Sequence, residues 1–253
     1  MIDRYRSEIE APLNIQRGAK GIGVQRVQEW LGLKGHGVEI DGDFGPATEA
    51  ALIAYQGEVW KQTSPKFGAL DAPTWKNLAG DLISASAFVT PGPTFGATVV
   101  ALAQAHLAAK AREVGGDNCG PWVRHYCRGQ SVAWCQGFAS TMWNDAAQLV
   151  GKGPVLDLVI EGIWCLFVPT VAAAAKRCGL FVPGSAAWSP PPGSMFLLRG
   201  GAYGYLHVGI VEWADRDIMR TIEGNTNENG GANGYEVARR TRMVASCDFV
   251  RSD

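Results

Sequence analysis

The sequence predicts an α+β protein, with helices first and an antiparallel sheet last. Three observations carry this. Up to about residue 180, apolar residues recur at helical spacing, as in IGVQRVQEWLGL, where Val24, Val27, Trp30 and Leu31 share a face. After SPPPGS the period drops to two, with Leu206, Val208 and Ile210 alternating with His207, Gly209 and Val211. Between about Ala79 and Ala97 small residues and Pro91-Gly92-Pro93 mark a break between a short front module and a longer back one. The expected organisation is a three-helix domain over residues 1–80, a linker over 81–97 and a second domain over 98–253.

Composition narrows the function classes. The 253 residues are 47% hydrophobic and 19% charged, which is globular and long enough for two modest domains. A net charge of −1 supplies no broad attraction to nucleic acid or anionic membranes. Arg239, Arg240 and Arg242 read as a solvated strand face. The start, MIDRYRSEIEAPLN, has no apolar core, so no secretory signal is expected and synthesis is placed in the cytoplasm. The apolar stretch ATVVALAQAHLAAKA is broken by Gln104, His106 and Lys110, so no membrane insertion is expected. The six cysteines form no C-x-x-C pair, and Trp122 stands where NCGPW would need its second thiol. Free thiols are expected, with no metal and no cofactor.

In the front module, the VQRVQEWLGL helix leads to a turn at Asp41-Gly42 and a second helix that Pro46 opens. Asp41 and Asp43 hint at a calcium loop, but its closing Glu would fall at Leu52. Asp71 caps a third helix, with Pro73 in its first turn.

In the back module, TVVALAQAHLAAKAREV and GPWVRHYC read as helices. SVAWCQGFASTMWNDAAQLV places Phe138, Met142, Ala146, Leu149 and Val150 on one stripe of a buried helix that begins near Cys135. A thiol there meets unpaired backbone N–H groups and the positive end of the helix dipole. VPTVAAAAKRCGL is a further helix, and four extended segments follow: MFLLRGG, YLHVGIVEWA, DIMRTIEGNT and YEVARRTRMV. WADRD is the turn of a hairpin between the second and third. A three-residue turn sets Glu223 opposite His207, and a five-residue turn sets Asn225 there. A four-residue turn sends both polar side chains to the other face. Cys135, His207, Glu223 and Asn225 thus form a candidate nucleophile, base and orienting pair, the set that cysteine–histidine hydrolases need.

Two resemblances sharpen this. VQRVQEWLGL, DGDFGPATEAALIAYQ and GALDAPTWKNL resemble the first type of bacterial peptidoglycan-binding domain, with GEVWKQTSPKFG longer than the usual connection. AWCQGF, YLHVGIVE and TIEGNTN resemble the CHAP amidohydrolase/peptidase domain, a papain-like relative of the NlpC/P60 peptidases, over roughly Thr98 to Arg242. EVGGDNCGPWVRHYC fits the lead-in of one branch found in wall hydrolases, and Gly193-Ser194 departs from the usual Gly-Asp. The resemblance implies helices packed on an antiparallel sheet, Cys135 as nucleophile, His207 as base, Glu223 as its orienting residue and Asn225 as a fourth polar helper. It implies a peptidoglycan hydrolase of the phage-endolysin kind, cutting the muramoyl-alanine amide or a peptide bond of the wall. The Cys135 N–H and a second donor, for which Gln130 is the guess, would hold the oxyanion. CRGQSVAW lacks the acidic residues with which some relatives bind calcium. Expected partners are peptidoglycan, plus a holin for release, or a type VI secretion machine with an immunity protein. Two other readings are a wall-binding protein without catalysis and an intracellular thiol protease.

Overall fold

The computed structural model describes residues 8–60, 67–87, 89–152, 156, 158–160, 163–184, 188–227 and 233–253. It is α+β, with eight α-helices and a six-stranded antiparallel sheet among these residues. The helices are α1 (Ile22–Leu33), α2 (Pro46–Trp60), α3 (Ala72–Leu78), α4 (Gly80–Ala87), α5 (Phe95–Ala108), α6 (Pro121–Tyr126), α7 (Cys135–Leu149) and α8 (Val168–Arg177). The strands are β1 (Val159–Ile160), β2 (Ile163–Trp164), β3 (Phe181–Val182), β4 (Met195–Arg199), β5 (Tyr205–Ala214), β6 (Ile218–Thr226), β7 (Glu236–Met243) and β8 (Cys247–Val250). None of these helices is long and apolar enough to cross a membrane.

The chain forms two compact units. One runs up to Ser84 and takes in Glu113–Ser131; the other holds Ala85–Arg112 and Val132–Asp253. This differs from the expected boundaries in two places. Residues 80–87 form a helix with Leu82 and Ala85 buried, because its Leu, Ile and Ala favour helix as well as linker. The chain break is confined to the residues around Pro91-Gly92-Pro93, where Thr94 caps α5 by accepting from the Ala97 N–H.

The second difference is that α6 and its flanks belong with the N-terminal unit. Arg124 donates to Glu8 (2.9 and 3.1 Å) and to Glu29 (2.9 and 2.5 Å), and both carboxylates are almost fully buried. Arg26 lies 3.5 Å from Glu8, so two arginines balance two glutamates. The Trp122 ring meets Trp30 edge-on at 6.2 Å.

The rest of this unit follows the sequence closely. The buried Gln28 amide donates to Asp41 (2.8 Å), the Thr48 hydroxyl (3.1 Å) and the Asp43 carbonyl (3.2 Å), and accepts from the Gly42 N–H (2.8 Å). That network pins the Asp41–Phe44 turn between α1 and α2. Asp71 accepts from the Thr74 N–H at 2.9 Å, the expected cap. The long connection after α2 lies partly at residues 61–66, outside the described residues.

In the second unit the sheet order is β3-β8-β4-β5-β6-β7. Phe138, Met142 and Ala146 of α7 are buried as expected, but Leu149 is exposed at the helix end. β5 is buried on both faces from His207 to Glu212 rather than on one, because the sheet has neighbours on either side. A core of Phe196, Val211, Met219, Cys247 and Phe249 lies on one of them. All six cysteines are free.

Candidate active site

Cys135 begins α7, behind the fully buried Trp134. Trp134 supplies no side-chain cap, so the first N–H groups of the helix have no side-chain acceptor there. The first helical bond runs from the Phe138 N–H to the Trp134 carbonyl. A glycine seats this turn against the sheet. A β-carbon on Gly224 would lie 2.6 Å from Phe138 and 2.7 Å from Trp134, so only a bare backbone fits beneath the start of α7.

His207 sits near the start of β5 and is completely buried. Its Nε2 is 3.0 Å from Glu223 Oε2. Its Nδ1 has no hydrogen-bond partner in place, and the Cys135 thiol is among the groups that favour the protonated ring. Burial by itself pushes the imidazole pKa down. Cys135 and Glu223 outweigh it and raise the value to about 9. For Glu223, burial pushes up, but Arg242 and His207 prevail and hold it down to about 2. His106, by contrast, is driven to about 3 by burial and stays neutral.

The hairpin register shows how Glu223 reaches the ring. The innermost pair, Ala214 with Met219, encloses four residues, which alone would turn Glu223 away. A bulge at Glu212 shifts the register by one and restores the parity: beyond it Val211 pairs with Thr221 and Ile210 with Ile222. The bulged Glu212 is held by Gln104 (2.8 Å), Arg239 (2.7 and 2.8 Å) and Arg220 (2.8 Å). Continued inward, this register sets Glu223 across from Gly209, diagonal to His207 rather than opposite it. A β-carbon on Gly209 would lie 2.8 Å from Glu223 Cγ and 2.8 Å from Phe196. The missing side chain is what lets Glu223 lie across the strand toward the imidazole.

Asn225 is buried at the irregular end of β6, with φ 56° and its Nδ2 without a hydrogen-bond partner. The expected help to the histidine is not made by contact, since the ring nitrogen facing β6 goes to Glu223. Gln130, the guessed oxyanion donor, is exposed and falls in the N-terminal unit. Two residues of the site escaped the sequence reading. Thr221 donates its hydroxyl to Glu223 Oε1 at 2.5 Å, and Arg242 grips the same carboxylate with Nε (2.8 Å) and Nη2 (2.5 Å). The arginine run is therefore not one solvated face: Arg239 is well exposed, whereas the Arg242 side chain is only 15% exposed. Gly209 did carry a signal, because glycine inside a strand marks close approach. No cluster of three or more His, Cys, Asp or Glu able to hold a metal occurs among the described residues.

The pair has a pH signature. A raised His207 pKa stabilises the fold fully below its unfolded value near 6.5, and that contribution is lost as pH rises through about 9. The lowered Glu223 pKa stabilises above its unfolded value near 4.5, and that contribution is lost as pH falls through about 2. Both contributions are complete between these unfolded values. Urea titrations of wild type and His207→Gln should therefore diverge most in that window and converge toward pH 9.

No family model matches the chain, and no curated protein or solved structure shows significant similarity to it.

Proposed function

We propose that the protein is a peptidoglycan hydrolase whose C-terminal unit is a papain-like, CHAP-type thiol amidase or endopeptidase and whose N-terminal unit binds the wall. The observation that carries this is a buried imidazole with Glu223 on one nitrogen and the Cys135 thiol acting on the same ring. A purely structural histidine has no use for a carboxylate held by two further donors. The sequence resemblances to wall-binding and CHAP domains supply the substrate class.

The geometry supports the following course for the proposed reaction. His207 takes the Cys135 proton, giving a thiolate beside an imidazolium that Glu223 orients and stabilises. Sulfur attacks the amide carbonyl, and the C–N bond stays intact in the tetrahedral adduct. The Cys135 N–H, at a helix start without a side-chain cap, would hold the oxyanion. Imidazolium then protonates the departing amine, the C–N bond breaks and a thioester remains. Water, deprotonated by His207, hydrolyses the thioester and returns the thiol. In the N-terminal unit the signature residues Gln28, Asp41 and Thr48 hold the turn itself, so the fold of the module accounts for them without a ligand.

Purified protein incubated with sacculi, followed by mass spectrometry of the released muropeptides, tests the proposal. A free lactyl group on muramic acid identifies an amidase, and a new peptide terminus identifies an endopeptidase. Intact muropeptides, with the wall bound but uncut, would leave a binding protein. Gene neighbours separate the delivery routes: a holin accompanies an endolysin, and a small immunity protein accompanies an injected effector.

A further inference from the structure

Arg242 reaches a long way to meet Glu223. On β7 it pairs with Met219, four residues before Glu223 on β6, and its side chain runs along the sheet past Thr221. The guanidinium lies over the Phe196 ring, 5.6 Å from its centroid, and the same ring is 6.1 Å from that of His207. Most telling is the sharing of one oxygen. Oε2 of Glu223 takes both Arg242 Nη2 at 2.5 Å and His207 Nε2 at 3.0 Å, while Oε1 takes Arg242 Nε and Thr221. The carboxylate is thus clamped in one orientation by a two-pronged donor that a lysine cannot imitate. Pinning β7 to β6 does not require it, since six consecutive residue pairs from Ile218–Met243 to Glu223–Ala238 already join the strands.

Charge gives the contact a second consequence. A bare carboxylate beside an imidazolium would hold its proton tightly. With a guanidinium on the same oxygens, the pull on that proton is reduced. Among the described residues, the other ionisable groups that act on the pair are Cys135 of α7, beside His207, and Cys247 of β8, beside Glu223 and Arg242; Cys247 in turn neighbours Arg199 of β4 and Asp248 of β8, which Tyr205 of β5 meets. Asp248 is paired with Arg199 at 2.8 Å and hydrogen-bonded by Tyr205, and burial pushes the Cys247 thiol up to about 12, so it stays neutral. Arg242 is therefore the charge that shares Glu223 with the histidine by direct contact.

We propose that Arg242 is a positioning residue of this site: its fork aims Glu223 Oε2 at His207, and its charge sets the alkaline edge of the working pH range. This rests on the hydrolase reading for its role in turnover, though the coupling of Arg242 to His207 can be measured without turnover. The test uses Arg242→Met and Arg242→Lys in the full chain, with Arg242→Gln in place of the first should it not fold. Two readouts are taken: NMR titration of the His207 imidazole, and the pH profile of dyed peptidoglycan release.

Arg242→Met should move the His207 titration and the alkaline limb upward by about half a pH unit or more, with the optimum rate down about tenfold. Arg242→Lys should leave both pH readouts near wild type while still losing rate, because charge is kept and the fork is lost. A uniform loss of rate with the titration and limb unmoved in Arg242→Met would overturn the proposal and leave a structural ion pair. If the titration shifts as expected but the wild type releases no wall material, the hydrolase reading fails and the positioning of the histidine stands.

Discussion

Cys135→Ala and His207→Ala should each lower the release of dyed peptidoglycan by about 10³-fold or more, with circular dichroism of the cysteine variant unchanged. In the proposed reaction the sulfur forms the covalent bond, and without the imidazole neither the thiolate nor the protonated leaving amine would be produced. The cysteine variant should fold normally, because it removes one atom from a position at a helix start whose packing is carried by Trp134 and Phe138. Near-normal release by either variant would refute the assignment. From the sequence, Glu223→Ala is expected to cost less, with Asn225 holding the ring in its place. The structure changes that expectation. Asn225 does not contact the ring through its nitrogen, and removing Glu223 also leaves the Arg242 guanidinium without its carboxylate. Glu223→Ala should therefore approach the losses of the other two, and Glu223→Gln, which keeps the shape but not the charge, should fall between.

The largest effect on stability is expected in the N-terminal unit, at Arg124. Arg124→Met leaves Glu8 and Glu29 with Arg26 as the neighbouring arginine among the described residues, and both carboxylates are buried. Breaking one side of a buried ion pair costs about 3–5 kcal/mol, because the partner keeps its desolvation penalty. The same argument makes a fragment ending at residue 80 unstable, since it lacks Arg124 and Trp122 altogether. Peptide-resolved hydrogen exchange checks this directly: protection in α1 and α6 should collapse in Arg124→Met while β4, β5 and β6 stay protected. Unchanged protection in α1 would show that the ion pairs contribute nothing net. A fragment comprising residues 1–131 would not repair the truncation, because it would also carry residues 85–112, which belong to the other unit.

The two predictions show where the sequence speaks and where it is silent. Local rules sufficed for elements whose cause is local. Asp71 and the prolines at helix starts act within three or four residues, so α2 and α3 are legible from caps and spacing. Period-two alternation likewise placed β5 and β6. The α+β class follows from those local signals together.

Long-range partners were decided only by the tertiary structure. Whether α6 packs on α1 or on the sheet depends on Trp30, Glu8 and Glu29, more than ninety residues away, and no local period records that choice. The hairpin parity depended on the bulge at Glu212, which Gln104, Arg220 and Arg239 hold from three other places in the chain. Arg239 and Arg242 look alike in the alternating run, yet one is well exposed and the other is turned in to Glu223, because a long side chain can lie along a sheet and choose a buried partner. The sequence by itself determined the helices other than α4, the strands β4 to β7 and the three candidate chemical groups. Only the folded chain decided which arginine holds the glutamate, since a charge's partner is set by proximity in space and not by spacing along the backbone.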